Sequence, residues 1–163
     1  MELVEINENM GKDVYEMFQD IPKIETGSYN ACFGLDYNEY KEYLKKEINR
    51  KTNKVTKYDT PTISFILFDN NKPIGLVGLR IKIDDLWKKR SGNFYYKIRL
   101  SERNKGYGKA SLKLALQKLK ELGFSEVYGQ ASNSNIPSIK VLESNGGKLY
   151  KVENNINYYK FIL

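Results

Sequence analysis

The 163-residue chain predicts a single mixed α/β domain over residues 1–163, with a central, mostly antiparallel twisted sheet of six or seven strands flanked by about four helices. Three observations predict it. Strand-like alternation recurs in several short segments, and four other segments carry apolar residues at helical spacing. One of those helices joins two strand-like segments, which a crossover connection forces to run parallel. The length suffices to bury a proper core, and 40% hydrophobic residues with 13% aromatics fit a folded domain.

The elements follow in order. Residues 3–6 alternate apolar and acidic side chains and predict a first strand. Val14, Met17, Phe18 and Ile21 recur at helical spacing, and Pro22 ends that helix. Tyr37, Tyr40, Leu44 and Ile48 form a second helical stripe that Asp36 can cap. The polar stretch 50–60 reads as a loop. Ile63, Phe65 and Leu67 then alternate, Asp69, Asn70, Asn71 and Lys72 supply a turn, and residues 74–83 return as the partner strand of a hairpin. Residues 84–91 make a charged connection around Trp87, and residues 93–100 a third central strand. Within 109–122, Leu112, Ala115, Leu116, Leu119 and Leu122 share one face, Lys109, Lys113, Gln117 and Lys120 the other, and Gly123 is a natural stop. Residues 125–131 read as a buried strand. Asn135 can cap a short helix with Pro137 in its first turn and Gly146 and Gly147 at its close. Strands near 148–152 and 156–163 complete the sheet, with no repeats or low-complexity linker.

Composition excludes several chemistries. The chain has no histidine and one cysteine, Cys32, so Ser-His-Asp, Cys-His and zinc-hydrolase machinery are absent, no intrachain disulfide can form, and no metal site is expected. No apolar run approaches the ~18 residues of a membrane helix, and residues 1–10 lack the basic character of a secretory signal, so the expected location is cytoplasmic. The net charge of +7 is spread along the chain beside glutamates. It favours encounter with an anionic cofactor, and specific nucleic-acid binding is not expected.

The most informative segment is Glu102-Arg103-Asn104-Lys105-Gly106-Tyr107-Gly108-Lys109-Ala110, set between a strand and an amphipathic helix. Gly106 and Gly108 allow positive φ and close approach of a ligand to the backbone. The first-turn N–H groups of the following helix have no intrahelical partner and sit at the positive end of its dipole, which favours phosphate. Arg103, Lys105 and Lys109 add positive charge. The segment lacks the Gly-Lys-Ser/Thr ending of a Walker loop and the third glycine of a dinucleotide fingerprint. It reads as a pyrophosphate cradle for another nucleotide-containing ligand, or as a tight turn.

Arg103-x-x-Gly106-x-Gly108 resembles the Arg/Gln-x-x-Gly-x-Gly/Ala signature of the GNAT superfamily of N-acetyltransferases. Upstream, Ile98-Arg99-Leu100-Ser101-Glu102 is similar to the strand and turn that lead into this loop. Downstream, Asn135-Ile136-Pro137-Ser138 and residues 140–147 resemble the family's second CoA-contacting segment. Phe33-Gly34-Leu35 and the helix after it look like a branch of small, mostly uncharacterised bacterial members, so the resemblance covers nearly the whole chain.

The resemblance implies a GNAT-like fold in which the strands at 93–100 and 125–131 form a splayed parallel pair that admits the pantetheine arm of acetyl-CoA, the expected co-substrate. It implies that main-chain groups near Ile98 and Leu100 hold the arm. Arg103, Asn104, Lys105, Gly106, Tyr107, Gly108, Lys109 and Ala110 would hold the pyrophosphate, and Asn135 and Ser138 would contact CoA, with plain helix capping the competing role of Asn135. The implied reaction is direct transfer of the acetyl group to a primary amine of unread identity, whether small molecule, peptide or protein. No covalent enzyme intermediate is required. The tyrosine that protonates the departing thiolate in many members falls at Leu142, which leaves Tyr95, Tyr96 and Tyr128 as candidate replacements and admits a non-catalytic acyl-CoA-binding module as the alternative. Glu102 and Glu126 are weaker candidates for a base, and Cys32 reads as a small buried residue. Segments 21–36 and 84–92 are expected to wall the acceptor pocket. A homodimer, common in the superfamily, would use exposed strand edges near the C-terminus.

Overall fold

Strands Thr62–Asp69 (β4) and Lys72–Arg80 (β5) pair as an antiparallel hairpin in the middle of a four-stranded sheet. The computed structural model describes residues 1–26, 28–52 and 60–163. Asn70 and Asn71, both at positive φ, make the hairpin turn, a conformation that asparagine tolerates better than most residues. Glu2–Glu5 (β1) pairs with β4 on one side and Phe94–Ile98 (β6) pairs with β5 on the other, all antiparallel. A second sheet has Glu126–Ser132 (β7), Ile156–Ile162 (β9) and Lys148–Glu153 (β8) side by side, in that order and antiparallel.

β4 and β5 read as nearly continuous apolar runs because helices cover both faces. On one face Phe65, Val77, Leu79 and Phe94 pack with Leu112, Ala115 and Leu119 of Tyr107–Glu121 (α4) and with Leu142 of Ile136–Ser144 (α5). On the other, Ile66 and Leu76 pack under Val14, Met17 and Phe18 of Lys12–Gln19 (α1) and Tyr40 and Leu44 of Tyr37–Asn49 (α2). Asp36 caps α2 and completes a capping box with Glu39. Gly78 keeps a side chain off the sheet surface, since a Cβ there would fall 2.1 Å from the Tyr95 ring.

β6 and β7 meet at one point. Asn93, buried at the start of β6, donates its N–H to the Tyr128 carbonyl at 2.8 Å and accepts from the Tyr128 N–H through Oδ1 at 2.8 Å. Beyond this clasp the two strands belong to separate sheets, so the predicted single sheet is split.

Three local features differ from the sequence reading. The charged connection at 84–91 contains the helix Asp85–Arg90 (α3), whose Asp84 cap accepts from Trp87 N at 2.9 Å; six residues are too few to display a helical period. A two-residue hairpin, Ile24–Glu25 (β2) with Ser28–Tyr29 (β3), lies inside the segment after α1. β6 ends at Ile98 and Leu100–Glu102 form a 3-10 turn, while α4 starts at Tyr107, two residues earlier than its apolar pattern indicated. Of the loop at 50–60, residues 53–59 lie outside the described residues. Among the described residues no helix is long and apolar enough to cross a membrane.

Candidate active site

The loop before α4 is shaped by its backbone. Asn104 and Gly106 have positive φ, 62° and 85°. Gly106 is the N-cap of α4, no side chain caps the helix, and its first turn carries no acidic residue. The leading N–H groups are thus left to a ligand or solvent. A Cβ at Gly106 would meet nothing within 4 Å, so the space before the helix is open. Gly108 instead faces the interior, 3.3 Å from Val141 and 3.7 Å from the Tyr96 ring by its would-be Cβ.

The side chains of this loop are partly committed elsewhere. Arg103 makes a two-pronged ion pair with Glu25 at 2.5 and 2.7 Å and donates through Nε to the Ile98 carbonyl at 3.1 Å. Lys105 pairs with the buried carboxylate of Glu102 at 2.9 Å, and Lys72 is the second partner. These hydrogen bonds hold the Glu102 carboxyl below its ordinary range. Tyr107 donates to Asp69 at 2.7 Å. The Leu100 N–H donates to the Asp20 carbonyl at 2.9 Å, which ties it to the end of α1. Arg103 and Leu100 therefore have structural roles that the sequence did not reveal, because Glu25 and Asp20 lie nearly eighty residues away.

A cleft of about 470 Å³ opens where β6 and β7 part, lined by residues of β6, β7, α2, α5 and the β3 region. The register places Tyr96 opposite Val77 and Ile98 opposite Gly75, while Arg99 N donates to Ile74 O and Arg80 N to Asn93 O. Antiparallel geometry then turns the main-chain groups of Tyr96 and Ile98 away from β5, toward the gap. The cradle loop itself does not line this cleft; Tyr96, which does, is the residue that joins them.

The three tyrosines on the central strands separate cleanly. Tyr96 lines the cleft beside Ser138, and its hydroxyl is buried with no hydrogen bond of good geometry, the Ser138 side chain being its near neighbour. Burial raises its pKa, opposed in part by the Ser138 side chain, so it stays protonated at neutral pH. Tyr95 also lines the cleft, but from the opposite face of the sheet, its hydroxyl 3.4 Å from Arg50 and its ring under the Arg80 guanidinium. Tyr128 does not line the cleft: its hydroxyl donates to Glu126, which drives its pKa up to about 12. Glu126 also pairs with Lys160, and neither Glu126 nor Glu102 lines the cleft.

Asn135 Oδ1 accepts from Ser138 N at 3.2 Å, a plain N-cap of α5, and both residues line the cleft. Leu142, 2% exposed, packs in the core against Gly129 and has no polar function. Cys32 is buried with its thiol pushed up to about 12 by desolvation, too high for a nucleophile.

The wall toward α2 holds residues that sequence reasoning missed. Glu47, 8% exposed, accepts from Ser64 Oγ at 2.7 Å and from Arg50 at 3.1 Å. It lies one turn beyond Tyr43 and Leu44 on the buried face of α2, so a carboxylate on an apolar stripe was the available signal. Lys97 also lines the cleft, and its Nζ donates to the Tyr29 carbonyl. Burial lowers its pKa to about 8. Asn30 braces this wall, donating to the Phe18 and Ile21 carbonyls at 2.9 and 2.8 Å. Both expected acceptor segments reach the cleft, through residues such as Tyr29 and Ser91.

Residues 18–146 match the sequence model of the Acetyltransferase (GNAT) family. The chain belongs to that family. Solved structures agree with this GNAT assignment at the level of the fold. The Campylobacter jejuni N-acetyltransferase PseH in complex with acetyl coenzyme A superposes with a TM-score of 0.64 at 14% identity, covering 99% of this chain and 97% of that one. A ribosomal-protein-alanine N-acetyltransferase from Brucella melitensis gives 0.67 at 11% identity over 100% of both chains. A mutant of the spermidine N-acetyltransferase SpeG from Vibrio cholerae gives 0.63 at 15% identity, covering 99% and 95%. No curated protein matches the sequence.

Proposed function

We propose that this GNAT protein is a single-domain, acetyl-CoA-dependent N-acetyltransferase that passes the acetyl group directly to a primary amine. The observation that carries the reading is the cleft between the parted strands β6 and β7, adjoining a helix whose N-terminus no side chain caps. Family membership and the acetyl-CoA complex of the PseH neighbour support the choice of co-substrate. N–H groups from Asn104 to Ala110 hold the pyrophosphate, and the outward main-chain groups of Tyr96 and Ile98 hold the pantetheine arm. Lys109, exposed at the helix start, adds charge.

In the reaction, the neutral amine nitrogen attacks the thioester carbonyl carbon, the C–S bond breaks, and the nitrogen loses one proton. Tyr96 O–H supplies a proton to the leaving sulfur: of the two candidates that line the cleft, Tyr95 has its hydroxyl beside Arg50, whereas Tyr96 lies on the α4 face of the sheet beside Ser138 and stays protonated. Water takes the proton from nitrogen and returns one to the Tyr96 phenolate, so the enzyme ends the cycle protonated. The bound arrangement replaces the entropy loss of a bimolecular encounter.

Titration calorimetry with acetyl-CoA, against CoA and ATP, tests the reading. Saturable binding of both CoA forms, followed by amine-dependent thiol release, is expected. Binding without release across a broad amine panel would instead identify a non-catalytic acyl-CoA module, and no CoA binding would remove both.

A further inference from the structure

The described lining of the cleft contains one carboxylate, Glu47, against three cationic side chains, Arg50, Arg80 and Lys97. Glu47 already accepts from Arg50 and Ser64. Arg80 stacks on Trp87 and Tyr95 and donates to the Ser91, Gly92 and Phe94 carbonyls, contacts that orient its guanidinium. Lys97 reaches the cleft from β6 with the Tyr29 carbonyl as its hydrogen-bond partner, and no carboxylate pairs with it among the described residues. Its ammonium has two further donors. On the facing strand, Gln130 lines the cleft and its side chain donates to the Arg90 carbonyl at 2.6 Å, which leaves its buried Oε1 with no donor. A buried acceptor without a partner costs free energy that a bound N–H would recover.

Resting on the acetyltransferase reading, we infer that the acceptor is a primary amine that also carries an anionic group, carboxylate or phosphate, with Lys97 receiving the anion and Gln130 Oε1 receiving an N–H of the amine. A polyamine is the wrong match. Its second and third ammonium groups would meet the Lys97 ammonium, and the one carboxylate of the described lining, Glu47, already accepts from Arg50 and Ser64. The cleft therefore departs in charge from what a spermidine acceptor would need, although the fold is shared with a spermidine N-acetyltransferase. Lys97 selects the acceptor and takes no part in holding acetyl-CoA.

The test compares acetylation rates, read by thiol release, for amines matched in pairs with and without the anion: β-alanine against propylamine, phosphoethanolamine against ethylamine, with spermidine as the polycation. At least one anionic member should react about 10- to 100-fold faster than its neutral partner at low concentration, the range expected for one charge-assisted hydrogen bond. The pair that shows the preference distinguishes carboxylate from phosphate. Lys97→Met should abolish the preference by raising KM for the anionic amine, leave kcat and acetyl-CoA affinity near wild type, and be rescued in part by Lys97→Arg. Faster reaction of spermidine or of the neutral amines, a preference that survives Lys97→Met, or an inert panel with acetyl-CoA bound would each overturn the inference while the co-substrate reading stood. Failure of calorimetry to detect acetyl-CoA would mark the earlier reading as the one at fault.

Discussion

The two sides of the cleft are built from different materials. Toward α4, the proposed contacts are main-chain groups whose directions follow from two glycines and a strand register. Toward α2, the charged groups that can select a ligand are side chains, and Glu47, Arg50 and Lys97 come from two separate parts of the chain, with Lys97 held by the Tyr29 carbonyl of a third. Backbone contacts recognise what every reaction of the family shares, and side-chain contacts can change without disturbing them. On this account substitutions on the two sides should separate cleanly into effects on acetyl-CoA and effects on the acceptor.

Tyr96, at the seam, gives the largest expected effect. Tyr96→Phe should lower kcat by about 10²- to 10⁴-fold, the range for loss of a general acid, and leave acetyl-CoA affinity within about twofold. Tyr95→Phe is the control, since its hydroxyl faces Arg50, and equal losses in the two variants would erase the distinction drawn between them. Next comes Glu47→Ala, which leaves Arg50 partly buried beside an empty site and Ser64 without its acceptor. A loss of about 3 kcal/mol in denaturant unfolding is expected, as for a broken buried pair. Little loss would mean that Glu47 serves the ligand more than the fold.

The contrast also decided what could be read in advance. Gly106 and Gly108 made the proposed cradle visible, because glycine suits the left-handed cap best and leaves room for the tight packing on Val141. The apolar stripes of α2 and α4 and the β4–β5 hairpin were equally legible, since periodicity is local. Asp20, Glu25 and Glu47 were not, because their importance lies in Arg99, Arg103 and Ser64, and nothing in a linear chain pairs residues so far apart. Likewise Tyr95, Tyr96 and Tyr128 were equivalent on paper, and the sheet's two faces and the reach of Glu126 set them apart.

A pH measurement probes the acceptor side alone. Lys97 titrates near 8 in the folded protein against an ordinary 10.5, so below pH 8 it is charged in both states and the folded state carries the cost of desolvation. Between 8 and 10.5 the unfolded chain binds more protons, and stability from this group rises with pH. Lys97→Met should therefore raise Tm slightly at pH 7, with the gain shrinking between pH 8 and 10.5 and absent above that. A gain independent of pH would assign the effect to packing.

The most direct test is to titrate acetyl-CoA into Gly106→Val and Lys97→Met side by side, each checked for native folding by circular dichroism. Valine at φ 85° strains the cradle and redirects its N–H groups, and affinity should fall at least about tenfold, the loss of one charge-assisted bond. Lys97→Met should bind acetyl-CoA as wild type does. Unchanged affinity in Gly106→Val, or an equal fall in Lys97→Met, would contradict the division between a main-chain cofactor side and a side-chain acceptor side.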